Sequence, residues 1–196
     1  MIDLGKDCDV YKISQENLIT NFNCGNADLN DFFNNEAILF QQQSLGQTHF
    51  FRHIETGKIV CVFSISADSV KTFLLSGSRR KKVKYLIPHD KSLQSYPAFL
   101  IGRLGVSVEF GGQGIGSQLL NYVKYFVMQE FYEIGRFLVV DAYNKPDVLA
   151  FYRKNDFEFL FTEEQQEREN LKKGMEIDEP LHTRQMFYDL KRGELP

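Results

Sequence analysis

The chain has 196 residues, 43% hydrophobic and 25% charged, with a formal net charge of −3; that length suits one domain, 1–196, with its own core, and the charge gives no global pull towards nucleic acid. No apolar run approaches the roughly 20 residues that span a bilayer, and the opening MIDLGKDCDV has acidic residues where a signal sequence would have a hydrophobic core. Cys8, Cys24 and Cys61 are widely spaced, with no Cys-x-x-Cys, and read as the reduced thiols of a cytoplasmic protein.

Cys8 to Ile13 alternates and reads as a first strand. In FNCGNADLNDFF a helix begins, with Asn26 or Asp28 as its cap and Leu29, Phe32, Phe33, Ala37 and Phe40 on one face; it fades near Gln43 to Gly46. Thr48 to Ile54 and Ile59 to Ser66 form a hairpin about Glu55-Thr56-Gly57-Lys58. His49 and His53 share one side of the first of these strands, but no third ligand is suggested and no metal is expected. From Val70 to Pro97 the pattern dissolves into a loop-rich insertion carrying Arg79, Arg80, Lys81, Lys82 and Lys84. Such a run is a solvated face in the plainer reading, and a local patch for an acidic or nucleic-acid partner in the sharper one.

The stretch AFLIGRLGVSVEFGGQGIGS, Ala98 to Ser117, organises the rest. Its apolar first half, ending in Leu104, Val106 and Val108, predicts a buried strand. Gly111, Gly112, Gly114 and Gly116 follow, and then Leu119, Leu120, Val123, Phe126 and Val127 recur at helical spacing as far as about Glu130. A strand, a glycine turn and a helix start together make a row of free amide donors at the positive end of the helix, which suits a phosphate. No Gly-Lys-Ser/Thr follows, so the nucleoside triphosphate loop is excluded; Leu119 stands where the third glycine of a dinucleotide fingerprint belongs. A tight turn without a ligand is the plain alternative.

Arg136 to Tyr143 is the next buried strand, returning parallel by a right-handed crossover. Asn144-Lys145-Pro146 ends it, Pro146 suits the first turn of a helix through Lys154, and Phe157 to Phe161 forms a further strand. A polar connection, Thr162 to Thr183, reads as an exposed helix or lid before a last strand from Arg184 to Leu190. The class is α/β (α+β).

Two of these stretches resemble the GCN5-related N-acetyltransferase superfamily. The glycine loop is similar to its Arg/Gln-x-x-Gly-x-Gly/Ala acetyl-CoA motif, with Leu104, Gly105 and Val106 matching the Leu-Ala-Val-like triplet at the strand end and Gly111 in the Arg/Gln position. VVDAYNKPDVLAFYRKNDF resembles the second motif, with Asn144 near the strand end, Tyr152 on the helix, and Asp156-Phe157 where a Gly-Phe pair is usual. The resemblance implies a central, mostly antiparallel sheet with one parallel pair splayed for CoA, flanked by helices. It implies acetyl-CoA as co-substrate, without a metal, bound by Leu104, Gly105, Val106, Val108, Gly111, Gly112, Gln113, Gly114, Ile115, Gly116, Ser117, Asn144 and Tyr152. It implies direct attack of a primary amine on the thioester, the Val106 amide holding the oxyanion and Tyr152 protonating the departing thiolate. The amides of Val106 and Val108 would pair with the pantetheine arm. Asp141, Glu109 or a water chain would take the amine proton, and Cys24 reads as a small buried hydrophobe rather than an acyl carrier. FNCGNADLNDFF, GRLGV and DAY…AFY further resemble a branch that includes toxins acetylating aminoacyl-tRNA and travelling with a DNA-binding antitoxin. Small-molecule or protein amines, tRNA as the lesser alternative, and a non-catalytic CoA-binding regulator thus stand as separate readings; no membrane partner is expected, and a homodimer stays open.

Overall fold

Patterning at periods 2 and 3.6 sorts the chain into strands and helices whose apolar faces meet on both sides of one sheet. The computed structural model describes residues 1–85, 87, 93–131, 133–171 and 180–192. The helices are α1 (Leu4–Asp7), α2 (Ala27–Asp31), α3 (Ala37–Gln42), α4 (Gly77–Lys84), α5 (Ile115–Glu130), α6 (Pro146–Lys154) and α7 (Glu164–Leu171). The strands are β1 (Cys8–Lys12), β2 (Gln47–His53), β3 (Ile59–Lys71), β4 (Ser95–Val106), β5 (Phe137–Tyr143), β6 (Glu158–Phe159) and β7 (Thr183–Asp189). They form a seven-stranded sheet in the order β1-β2-β3-β4-β5-β7-β6. β4 and β5 are its parallel pair, Ala98 facing Phe137 and Leu100 facing Val139, and the arrangement implied by the superfamily resemblance is the one found.

The chain divides into two compact units, residues 1–67 with 101–130, and 68–100 with 131–196. In the first, successive residues of β2 and β3 serve opposite faces. Phe50 and Val62 join Ile13, Ile19, Phe22, Phe32, Phe33 and Ala37 beneath α2 and α3. Phe51 and Phe63 meet α5 through Tyr122 and Phe126, with ring centroids 4.8 Å and 5.8 Å apart. Asn26 caps α2 by accepting the Leu29 amide, a contact worth about 1 kcal/mol. Between α2 and α3 a single π-helical stretch, Phe32–Glu36, intervenes; a uniform helical period does not anticipate it.

In the second unit Val70, Leu75, Val83, Tyr96, Ala98, Phe137, Val139, Leu160, Phe161 and Phe187 form a core on one sheet face. On the other face Tyr152 of α6 packs against Phe157, just beyond the helix, which in turn meets Tyr188. The expected dissolution from Val70 to Pro97 is corrected in part. β3 runs on to Lys71, the basic run forms α4 with Ser76 as its cap, and β4 starts at Ser95. Pro88 and residues 172–179 of the expected polar connection lie outside the described residues.

Candidate functional site

In the first unit the site begins at the end of β4. The Ser107 amide donates to the Val60 carbonyl at 2.9 Å. Successive amides along a strand point to opposite edges, so the Val106 amide points away from β3. This is the orientation that a donor to a strand-like ligand requires. Val108 is different. Ser107 accepts the Glu109 amide and opens a 3-10 turn over Val108–Phe110, and the Val108 amide donates to the Asn23 carbonyl at 2.9 Å. The expectation that Val108 extends the strand and pairs with pantetheine is therefore corrected: its donor is already used by the chain itself.

The glycine turn holds its shape through backbone that side chains resist. Gly112 and Gly114 sit at φ 74° and 76°, in the left-handed region, and a Cβ at either would project into open space. Gly111 needs no such freedom. Its φ is −62°, and an added Cβ would meet only the Val108 carbonyl oxygen, at 3.5 Å. Among the described residues the amides of Gly112, Gln113, Gly114 and Ile115 donate to no main-chain carbonyl, whereas those of Ser117 and Gln118 turn back to the Gly114 carbonyl. A consecutive row of unused donors, ahead of a helix running to Glu130, has the geometry that a bound diphosphate would require. Gln113 is occupied on its other side, accepting the Ile2 amide, and Gln118 accepts the Leu4 amide and donates to the Ile2 carbonyl. Glu109 forms an exposed ion pair with Lys58. Leu104 and Gly105 belong to β4 and Gly116 and Ser117 to the first turn of α5, so the first unit brings Leu104 to Ser117 together as one continuous run.

In the second unit Tyr152 is 7% exposed and fixed by the way its helix ends. Phe157 donates its amide to the Tyr152 carbonyl at 3.0 Å and Asp156 donates to that of Arg153 at 3.1 Å. These are the paired bonds of a Schellman cap, completed by the Tyr152–Phe157 ring contact at 5.5 Å. Asp156 has φ 67°, so it adopts the left-handed cap position for which glycine is the usual choice. The Tyr152 hydroxyl makes no hydrogen bond among the described residues. Burial pushes its phenol well above the usual tyrosine range, so its acidity would match that of a departing thiolate only if the thiolate is desolvated as well.

Asn144 and Asp141 are placed differently from the expectation. Asn144 donates its side-chain amide to the Leu181 carbonyl and its main-chain amide to that of His182, both at 2.9 Å, and also bonds Glu164. It ties the strand end to the segment entering β7, which leaves its donors committed. Asp141 pairs across the ladder with Gln185, on the face of Val139 and Phe187; Tyr152 packs on the opposite face, so the two are not brought together. Asp141 is exposed by area, yet surrounding atoms desolvate its carboxyl and raise its pKa, against a Gln185 hydrogen bond and with help from Asp68.

The basic run is largely structural. Arg79 has a side chain 10% exposed; it donates to the Leu160 and Phe159 carbonyls, pairs with Glu158 and lies over the Phe187 ring. Arg80 donates to the Thr72, Phe73 and Leu75 carbonyls. Lys81 and Tyr85 remain exposed, lining a cavity of about 440 Å³. His49 stacks on Phe63 and His53 contacts Thr56; among the described residues no group of three His, Cys, Asp or Glu side chains gathers as a metal site. No helix among them is long and apolar enough to cross a membrane. The residue that sequence reasoning missed is Asn23, whose carbonyl holds Val108. The signal was the run of Asn at positions 23, 26, 30 and 34 around Cys24-Gly25.

No protein-family model matches the chain. Among solved structures, a tyrosine-to-phenylalanine mutant of KacT superposes with a TM-score of 0.68 at 21% identity, over 95% of this chain and 96% of that one. AtaT complexed with acetyl-methionyl-tRNAfMet gives 0.69 at 18%, over 96% and 98%. A mutant AtaT toxin bound to acetyl-CoA and the C-terminus of the antitoxin AtaR gives 0.64 at 13%, over 95% of each. At these identities the likeness establishes the fold.

Proposed function

We propose that the chain is a single-domain N-acetyltransferase, moving an acetyl group from acetyl-CoA to a primary amine. The observation that carries this reading is the unbroken row of unused amides from Gly112 to Ile115 directly after a strand whose Val106 amide points outward. The row would hold the diphosphate, and the Val106 amide would donate to the thioester oxygen as negative charge grows there. The neutral amine nitrogen attacks the carbonyl carbon, the C–S bond breaks, and Tyr152 gives its hydroxyl proton to the thiolate sulfur. The proton shed by the nitrogen leaves through water and restores Tyr152, so amide and free thiol are the products. The ion pair of Glu109 with Lys58 and the placement of Asp141 on the sheet face opposite Tyr152 favour water over either carboxylate as the route of that proton.

A narrower reading, acetylation of the α-amino group of aminoacyl-tRNA, is supported by the likeness to AtaT in complex with acetyl-methionyl-tRNAfMet across nearly the whole chain. Release of CoA measured against amines, peptides and charged tRNA tests both readings. Turnover on any of them is expected; acetyl-CoA binding without turnover on all of them would leave a CoA-binding regulator. Tyr152→Phe should lower turnover by about 10²-fold or more, with melting temperature nearly unchanged because its hydroxyl anchors nothing else among the described residues. An unaltered rate in that variant removes Tyr152 from the mechanism.

A further inference from the structure

We infer that the loop Phe22–Gly25, fastened by Asn30 and Asn34, positions the end of β4 and thereby aims the Val106 amide. The inference rests on the acetyl-transfer reading of that amide and assigns it the residues that hold it in place. The loop has no regular structure, yet its polar groups are taken by side-chain amides one helical turn apart. Asn34 accepts the Phe22 amide and donates to the Phe22 carbonyl, each at 2.9 Å. Asn30 accepts from the Cys24 amide at 2.8 Å and from its thiol at 3.2 Å, and donates to the Asn23 side chain at 2.9 Å. Asn23 in turn accepts the Gly25 amide, and Asn34 also donates to the Asn30 carbonyl at 2.7 Å.

The far side of this loop presses on β4 at two points that bracket Val106. Beyond Val106, the Asn23 carbonyl takes the Val108 amide. Before it, a Cβ at Gly105 would stand 3.2 Å from Phe22 Cε1 and 3.3 Å from Cys24 Cβ and Sγ. That approach is closer than a side chain comfortably allows, and it accounts for glycine at the centre of the Leu-Gly-Val triplet. With Gly105 packed and Ser107 and Val108 both hydrogen-bonded, the peptide between them has little freedom. A donor aimed at developing charge loses much of its effect when displaced by about 1 Å, on the order of 10²-fold in rate. Asn30 and Asn34 are thus positioning residues, and Phe22 and Cys24 are the side chains through which they act.

The test uses acetyl-CoA labelled at the thioester carbonyl, with infrared difference spectra and dissociation constants for acetyl-CoA and CoA, on the full chain. In the wild type the bound carbonyl band should be displaced from its position in free acetyl-CoA. Asn30→Ala should return the band towards that position and weaken acetyl-CoA binding about fivefold, the worth of one hydrogen bond. CoA affinity should change by less than about twofold, since the diphosphate cradle is untouched. Asn30→Asp, which keeps the oxygen that accepts from Cys24 but loses the donor to Asn23, should retain part of the displacement. If Asn30→Ala does not fold, Gly105→Ala, which pushes the loop away without deleting a hydrogen bond, should show the same loss. An undisplaced band or equal affinities in the wild type would instead overturn the acetyl-transfer reading itself. A wild-type band and affinity in the folded variants, with acetyl-CoA bound, would overturn the inference alone.

Discussion

At the scale of single residues, two departures from the superfamily motifs that the sequence resembles have different physical meanings. Asp156 occupies a left-handed cap position that an L side chain tolerates at a cost and glycine adopts freely. Asp156→Gly should therefore stabilise the protein by up to about 1 kcal/mol, a rise of about 2 °C in melting temperature; a fall would show that the aspartate side chain makes a compensating contact. Gly111 is not forced by its backbone or its neighbours. Gly111→Gln should fold normally and bind acetyl-CoA about tenfold tighter, as expected of an added hydrogen bond to a charged phosphate, measured by calorimetry. An unchanged affinity would place the phosphates away from that position. Neither distinction could be drawn from the letters alone, because both substitutions read equally as losses.

Whole elements were legible in proportion to how local their causes are. The strand, glycine turn and helix from β4 to α5 could be read because turn chemistry and apolar period both act within a few residues. α4 could not be read. Its sequence GSRRKKVK has one buried residue, Val83, and its place is set by Arg79 and Arg80 donating to carbonyls from elsewhere in the same unit. Val108 continues the apolar alternation of β4, but the strand stops before it because Ser107 accepts the Glu109 amide and turns the chain. The basic helix carries a prediction of its own. Arg79→Ala should destabilise by about 2 kcal/mol, since it strands the part-buried carbonyls of Phe159 and Leu160 and unbalances Glu158, whereas exposed Lys81→Ala should stay within about 0.5 kcal/mol. Urea titration separates them. Neutralising the full run confounds folding with recognition, so Lys81 is the cleaner probe of an anionic partner; equal stability losses in the two variants would contradict this division.

For the molecule as a whole, acid stability should be governed by one histidine in the first unit. His49 is 7% exposed, lies against Phe63 and Phe126, and has no partner at Nδ1 among the described residues. Burial, with the Lys12 charge added, lowers its pKa to about 4. Between pH 6.5 and 4 the unfolded chain then binds more protons than the folded one, so stability falls as pH falls, by up to about 3 kcal/mol. His49→Phe should flatten that limb of the pH–stability curve, and an unaltered limb would assign it to other groups. The mostly antiparallel sheet with one parallel pair followed from the resemblance carried by two local motifs, whereas the bonds that tie Asn144 to Leu181 and the Asn23 carbonyl to Val108 join segments far apart in the chain and leave no local pattern to read. The exposed turn at Val108, 54% accessible at the strand end, has a practical use. The chain contains no tryptophan, so Val108→Trp would give it a sole indole beside the proposed diphosphate cradle, and the quenching of that fluorophore would report occupancy in real time.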